Sequence, residues 1–158
     1  MQQSDPEDAL VDAVMTASRA LLAVAARSLA AVDEDVTLPQ YRTLVVLAQY
    51  GARRPADLAA SLAVTPSTAT RMCDRLVAKG LIDRERADDD RRAVAVALTR
   101  DGEDLVRNVT GHRREELGRL LGAMPQDRRQ AVVEGLRSFS EAAGEVAETE
   151  WAVAPTRL

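Results

Sequence analysis

The amino-acid sequence predicts a mainly α-helical chain with one small β-hairpin, and three features carry that expectation. Apolar residues recur at gaps of three and four along most of the 158 residues. The period drops to two between Leu81 and Thr99. Threonines and prolines stand where helices should start, and glycines where they should stop. At 46% hydrophobic but only 3% aromatic, the core must rest on Leu, Val and Ala rather than on rings. The length suits one domain, or two lobes sharing a core.

Asp5-Pro6-Glu7 opens the first helix with acids in its first turn, where they complement the helix dipole. Leu10, Val14, Ala17, Leu21, Ala25, Leu29 and Val32 then form one stripe, longer than a small lobe needs unless part of it packs elsewhere. Asp33-Glu34-Asp35 ends it. Thr37-Leu38-Pro39-Gln40 has the form of a capping box, and the helix it starts presents Tyr41, Leu44, Val45 and Ala48 before stopping at Gly51. Arg53-Arg54-Pro55 is a short connector. A brief helix from Pro55 to Leu62 turns Leu58 and Leu62 inward. Ala63-Val64 is a turn, and Thr65-Pro66 starts the next helix by the same Thr-cap, Pro-first logic. Gly80 ends that helix as a left-handed cap, with Leu81 as its hydrophobic partner.

In the hairpin, Ile82, Arg84 and Arg86 alternate with Asp83 and Glu85, while Val94, Val96 and Leu98 alternate with alanines around a charged tip. Thr99 caps a long helix bearing Leu105, Val109, Leu117, Leu120 and Leu121. Gly122 to Pro125 breaks it. A last helix from about Gln126 carries Val132, Val133, Leu136 and Phe139, then Ala143 and Val146. Trp151 to Leu158 reads as a fraying tail. The order is that of a winged helix-turn-helix flanked by N- and C-terminal dimerisation helices. It divides the chain into a first dimerisation helix (1–36), a winged lobe (37–100) and the closing helices with their tail (101–158).

Composition excludes several classes. A single cysteine, Cys73, leaves no internal disulfide or cysteine-rich zinc site, and a single histidine, His112, leaves no metal cluster to build. Cys73 reads as a small buried thiol beside Met72, and His112 as a surface or interface residue. No metal and no cofactor are expected. No Gly-rich phosphate loop or nucleophile-and-base pairing points to an enzyme. The acidic start lacks the marks of a leader, and no stretch reads as a membrane span, so a cytoplasmic chain with no membrane partner is expected. The net charge of −4 argues superficially against nucleic acid. Distribution softens that objection: from Ser67 to Arg92 seven cations meet six anions, while the remainder is acidic.

Helix-turn-helix units lay their second helix in the DNA major groove. On the helix from Pro66, Ala69, Met72, Leu76 and Val77 fall towards the core. Ser67, Thr68, Thr70, Arg71, Asp74 and Arg75 fall outward. Hydroxyls and free N–H groups near a helix start suit phosphates or bases. Arg71 and Arg75, one turn apart, suit guanine O6 and N7. At the hairpin tip, Arg91 and Arg92 are placed for a narrow minor groove, whose concentrated negative potential attracts arginine. Asp90 supports the wing by holding an arginine extended, and Asp88 and Asp89 are solvated turn residues.

These stretches together resemble the MarR family of bacterial transcriptional regulators. The resemblance rests on Thr65-Pro66-Ser67-Thr68-Ala69-Thr70-Arg71, on Asp74-Arg75-Leu76, on Lys79-Gly80-Leu81-Ile82, and on Asp90-Arg91-Arg92 running to Val96, Leu98, Thr99 and Gly102. The hairpin carries that family's Asp-x-Arg-x-x-x-Val-x-Leu-Thr pattern. The resemblance implies a homodimer with interlaced outer helices, two winged modules on a pseudo-palindrome of double-stranded DNA, and a repressor released by a small aromatic or phenolic effector. It implies that Arg92 is the minor-groove arginine and Asp90 its brace. The peroxide-sensing branch carries a reactive cysteine in its first helix, and this sequence has none there, which argues against thiol sensing.

Apart from family, the outer stripes expose more apolar surface than one winged lobe can cover, so burial against a second copy is expected. The rival reading is a helical ligand-binding or protein-interaction module without DNA binding, which the acidic charge suits. The lining of any effector pocket is not legible from the residues.

Overall fold

The computed structural model describes the backbone of residues 5–87 and 90–153, with side chains for those outside 86–93. In order, the elements are α1 (Pro6–Ala30), α2 (Leu38–Tyr50), α3 (Pro55–Leu62), α4 (Pro66–Ala78), β1 (Ile82–Ala87), β2 (Asp90–Leu98), α5 (Arg100–Gly122) and α6 (Arg129–Ala142). Single 3-10 turns lie at Gln126–Arg128 and Glu148–Glu150. This is a mainly α winged helix-turn-helix with long outer helices.

Local chemistry sets the helix ends. Asp5 accepts from the Glu7 N–H at 3.2 Å to start α1. Thr37 accepts from the Gln40 N–H while the Gln40 side chain accepts from the Thr37 N–H at 3.1 Å, completing the capping box of α2. Thr65 and Thr99 cap α4 and α5 in the same manner. At the other end of α4, Gly80 adopts φ 71°, and the N–H of Leu81 donates to the Leu76 carbonyl at 3.0 Å. The Gly80 N–H reaches Val77 O at 2.9 Å, so two orphan carbonyls are satisfied in a Schellman motif. The turn between α3 and α4 is sharper than its residues suggest. Ala63 there holds φ 52° and ψ 43°, a left-handed conformation that costs a non-glycine residue about 1 kcal/mol.

The core gathers Leu29 of α1, most of α2, Leu58, Cys73, Leu76, Leu81, Ile82, Val96 and the first half of α5 (Leu105, Val106, Val109). Sequence periodicity gave α2 one apolar face. Instead Gln40, Tyr41 and every residue from Thr43 to Gln49 are buried, because α2 is packed by α1, α3, α5 and β2.

Three further departures have physical causes. The connector at Arg53 is a third, one-residue strand: its N–H donates to Val96 O at 3.0 Å and its carbonyl accepts from the Val96 N–H at 2.8 Å. The tail does not fray at Trp151. The N–H groups of Ala152 and Val153 donate to Gln49 O (3.1 Å) and Ala48 O (2.9 Å), carbonyls that the end of α2 leaves orphaned, and Trp151 packs on the core. Residues 154–158 lie outside the described residues. Lastly, α1 is long and apolar enough to cross a membrane by length and composition, which overturns the expectation that no stretch would qualify. Asp12 and Arg19 interrupt its apolar surface, and Val24, Ser28 and Leu29 near its end are its buried residues.

Candidate nucleic-acid interface

The helix-turn-helix is α3, the left-handed Ala63, and α4. Ala69, Cys73 and Leu76 seat α4 on the core, with Met72 and Val77 half-buried beside them. Ser67, Thr70, Arg71, Asp74 and Arg75 are exposed, as expected, whereas Thr68 is half-buried. The hydroxyls at the helix start are bound up with one another: Thr65 Oγ1 lies 3.1 Å from Ser67 Oγ and 2.9 Å from Thr68 Oγ1. Thr70 donates back to the Pro66 carbonyl at 3.0 Å, leaving its oxygen able only to accept. Of the four hydroxyls, Ser67 is therefore best placed to donate outward.

Arg71 and Arg75 are exposed, and neither makes a side-chain hydrogen bond or ion pair among the described residues. Between them in sequence, Asp74 is engaged by Arg84 of β1. Sequence reading placed Asp74 outward but did not pair it. The available signal was parity: Arg84 follows buried Ile82 by two on the same strand face. Cys73 is fully buried, and burial first, then the Asp74 carboxylate, pushes its thiol above the ordinary cysteine range. It is a packing residue, unsuited to reactivity.

The wing is an antiparallel pair with Ile82 opposite Leu98, Arg84 opposite Val96 and Arg86 opposite Val94. Its register slips after Arg86, so that Ala87 faces Asp90. Asp90, Arg91 and Arg92 form the start of β2; their side chains, and Asp88 and Asp89 altogether, lie outside the described residues. Val94, which alternates with the alanines beside Val96, is exposed because the hairpin has by then passed the edge of the core.

One junction joins α4, the wing and α5. Thr99 Oγ1 donates to the Gly80 carbonyl at 2.6 Å and accepts from the Gly102 N–H at 3.1 Å. The Thr99 N–H donates to Leu81 O at 3.1 Å. A Cβ on Gly102 would sit 2.1 Å from that same Leu81 oxygen, so only glycine lets α5 approach so closely. Beyond the winged lobe, exposed His112 lines a cleft of about 480 Å³ with Ala31, Val32, Arg107, Asn108, Gly111 and Glu115. Among the described residues, no three His, Cys, Asp or Glu side chains are grouped to hold a metal ion.

Comparison with known proteins decides what this geometry belongs to. The MarR family model matches residues 36–94, the stretch from the start of α2 to the wing. An HTH-type transcriptional regulator of Bacillus subtilis, YfiV, is 32% identical over 108 residues, 68% of each chain. The chain belongs to the MarR family. As a MarR-family chain it is a DNA-binding transcriptional regulator. The structure of RV1404 from Mycobacterium tuberculosis matches it with a TM-score of 0.84 at 46% identity, covering 92% of this chain and 99% of that one. The HTH-type transcriptional repressor MdtR of B. subtilis is 31% identical over 94 residues, 60% of this chain and 61% of MdtR. MarR membership also sets aside the interaction-module reading that the acidic net charge favoured.

Proposed function

We propose that this MarR-family chain is a homodimeric repressor of a pseudo-palindromic operator, with α4 of each copy in a major groove and each wing tip in the flanking minor groove. The observation that carries the reading is the pair Arg71 and Arg75, exposed one turn apart on α4 and without a partner among the described residues. A guanidinium uncommitted to its own fold reads guanine without first breaking an ion pair. Ser67 and the first-turn N–H groups of α4 grip phosphate, with Thr68 and Thr70 as weaker contacts. Arg91 and Arg92 enter the minor groove, and Asp90 braces Arg92. MdtR is named a repressor, and repression is the mode proposed here.

Dimerisation follows from surface that the chain alone leaves wet. On α1, Leu10, Val11, Met15 and Leu22 are exposed; on α5, Leu120 and Leu121; on α6, Val133, Leu136 and Phe139. No residue of α6 is buried. A second copy covering these faces removes the patch and sets the two α4 helices about 10 base pairs apart. It also accounts for α1 without a membrane and suits a cytoplasmic regulator. In this division residues 37–100 read DNA, while 1–36 and 101–158 pair the copies. The effector is a small aromatic or phenolic molecule held between outer helices and winged lobe. Supporting it, the buried Ser28 Oγ of α1 has no hydrogen-bond partner among the described residues.

The test uses the duplex best enriched from a randomised pool by the wild-type protein. Arg71→Ala and Arg92→Ala should each abolish binding at physiological salt while leaving helicity and dimer mass unchanged. Near-normal affinity in both would overturn the assignment of these residues.

A further inference from the structure

We propose that Arg84 is a positioning residue for DNA reading: by holding the Asp74 carboxylate from the wing side, it keeps Arg71 and Arg75 free for bases. This rests on the reading of Arg71 and Arg75 given above and adds a residue that touches no base in it.

Asp74 stands in the middle of the reading face, three residues after Arg71 and next to Arg75. On an exposed helix a carboxylate three residues on from an arginine is a ready partner for it. Arg71 and Asp74 nonetheless do not pair. Arg84 occupies the carboxylate instead, crossing from β1 to α4, with both side chains about half exposed. Strand parity sends it there: Ile82 anchors that face of β1 in the core, and the next residue on the face meets α4 where the core ends.

Two consequences bear on DNA. An unpaired carboxylate on this face would repel phosphates and would draw Arg71 back along the helix, and Arg84 removes both penalties at once. The pair also ties the middle of β1 to the reading helix, beyond the Gly80–Thr99 junction at its base. Since an exposed ion pair adds little to folding stability, its loss should register in binding rather than in melting.

The experiment measures affinity for the enriched duplex at one salt concentration for Arg84→Ala, Asp74→Asn and the double variant, which has the wild-type net charge. Arg84→Ala should bind at least about 10-fold more weakly, with an unchanged melting temperature and dimer mass. Asp74→Asn added to it should restore affinity to within about 3-fold of wild type. If Arg84→Ala binds like wild type, or if Asp74→Asn fails to rescue it, the positioning role is overturned; failed rescue with a salt slope reduced by about one unit would mark Arg84 as a direct phosphate contact. Arg71→Ala and Arg75→Ala, measured alongside, separate the two ideas. Should they retain wild-type affinity, the reading of bases by these arginines fails, whatever Arg84 does.

Discussion

Replacing Gly102 by alanine places a methyl group 2.1 Å from the Leu81 carbonyl oxygen, 3.1 Å from its carbon and 3.2 Å from Leu98 Cδ2. The nearest neighbour is backbone, so it cannot turn aside as a side-chain tip would. Either the first turn of α5 or the Gly80–Leu81 segment must move by about 1 Å, an overpacking strain of about 1–3 kcal/mol. That movement also strips Thr99 of its bonds to Gly80 O and the Gly102 N–H, a lost cap of about 1 kcal/mol. The helical preference of alanine returns less than about 1 kcal/mol. The net loss of about 1–3 kcal/mol converts to a melting temperature lower by about 2–12 °C in a chain of this length. Gly111→Ala in the same helix is the control, because its added Cβ meets nothing within 4 Å; it should melt at or slightly above wild type. Thermal unfolding followed by circular dichroism, at equal protomer concentration, reads both. A Gly102→Ala protein as stable as wild type would refute the account of the junction.

Leu136 of α6 is 50% exposed and Phe139 54%; burying the remaining half of Leu136 contributes about 1 kcal/mol per copy, so Leu136→Ala should weaken a symmetric dimer by about 2 kcal/mol, roughly 30-fold. Sedimentation equilibrium checks this, and Leu136→Arg with Phe139→Arg should give monomers; an unmoved dissociation constant would place the interface elsewhere. Because burial raises the Cys73 pKa, the folded thiol stays protonated where an unfolded cysteine ionises, above about pH 8.5. Stability should therefore fall as pH rises through that point, with a shallower fall in Cys73→Ala, and the native thiol should react slowly with a thiol reagent at pH 8. Rapid native labelling would contradict this.

What the sequence made legible was chiefly local. Thr37, Thr65 and Thr99 cap the helices that follow them, and Gly80 stops α4, because caps and stops are settled within a few residues. The outward set on α4, Thr68 apart, followed from helical period alone. Three other features had no local signature. The Arg53–Val96 bridge uses backbone only, which any residue could supply. The docking of Ala152 and Val153 meets carbonyls whose availability depends on where α2 ends in space. The Asp74–Arg84 pair exists because β1 crosses α4, an approach that only the assembled core fixes. Gly102 lies between these cases: its place in the family pattern was visible, but its reason, the Leu81 carbonyl beneath it, was not.

Hydroxyl-radical footprinting of the wild-type protein on its enriched duplex, with stoichiometry measured on the same complex, tests most directly whether paired copies present α4 to successive major grooves. Two chains per duplex and two protected tracts on one face, about 10 base pairs apart, are expected. Binding of one chain with a single protected tract would contradict it.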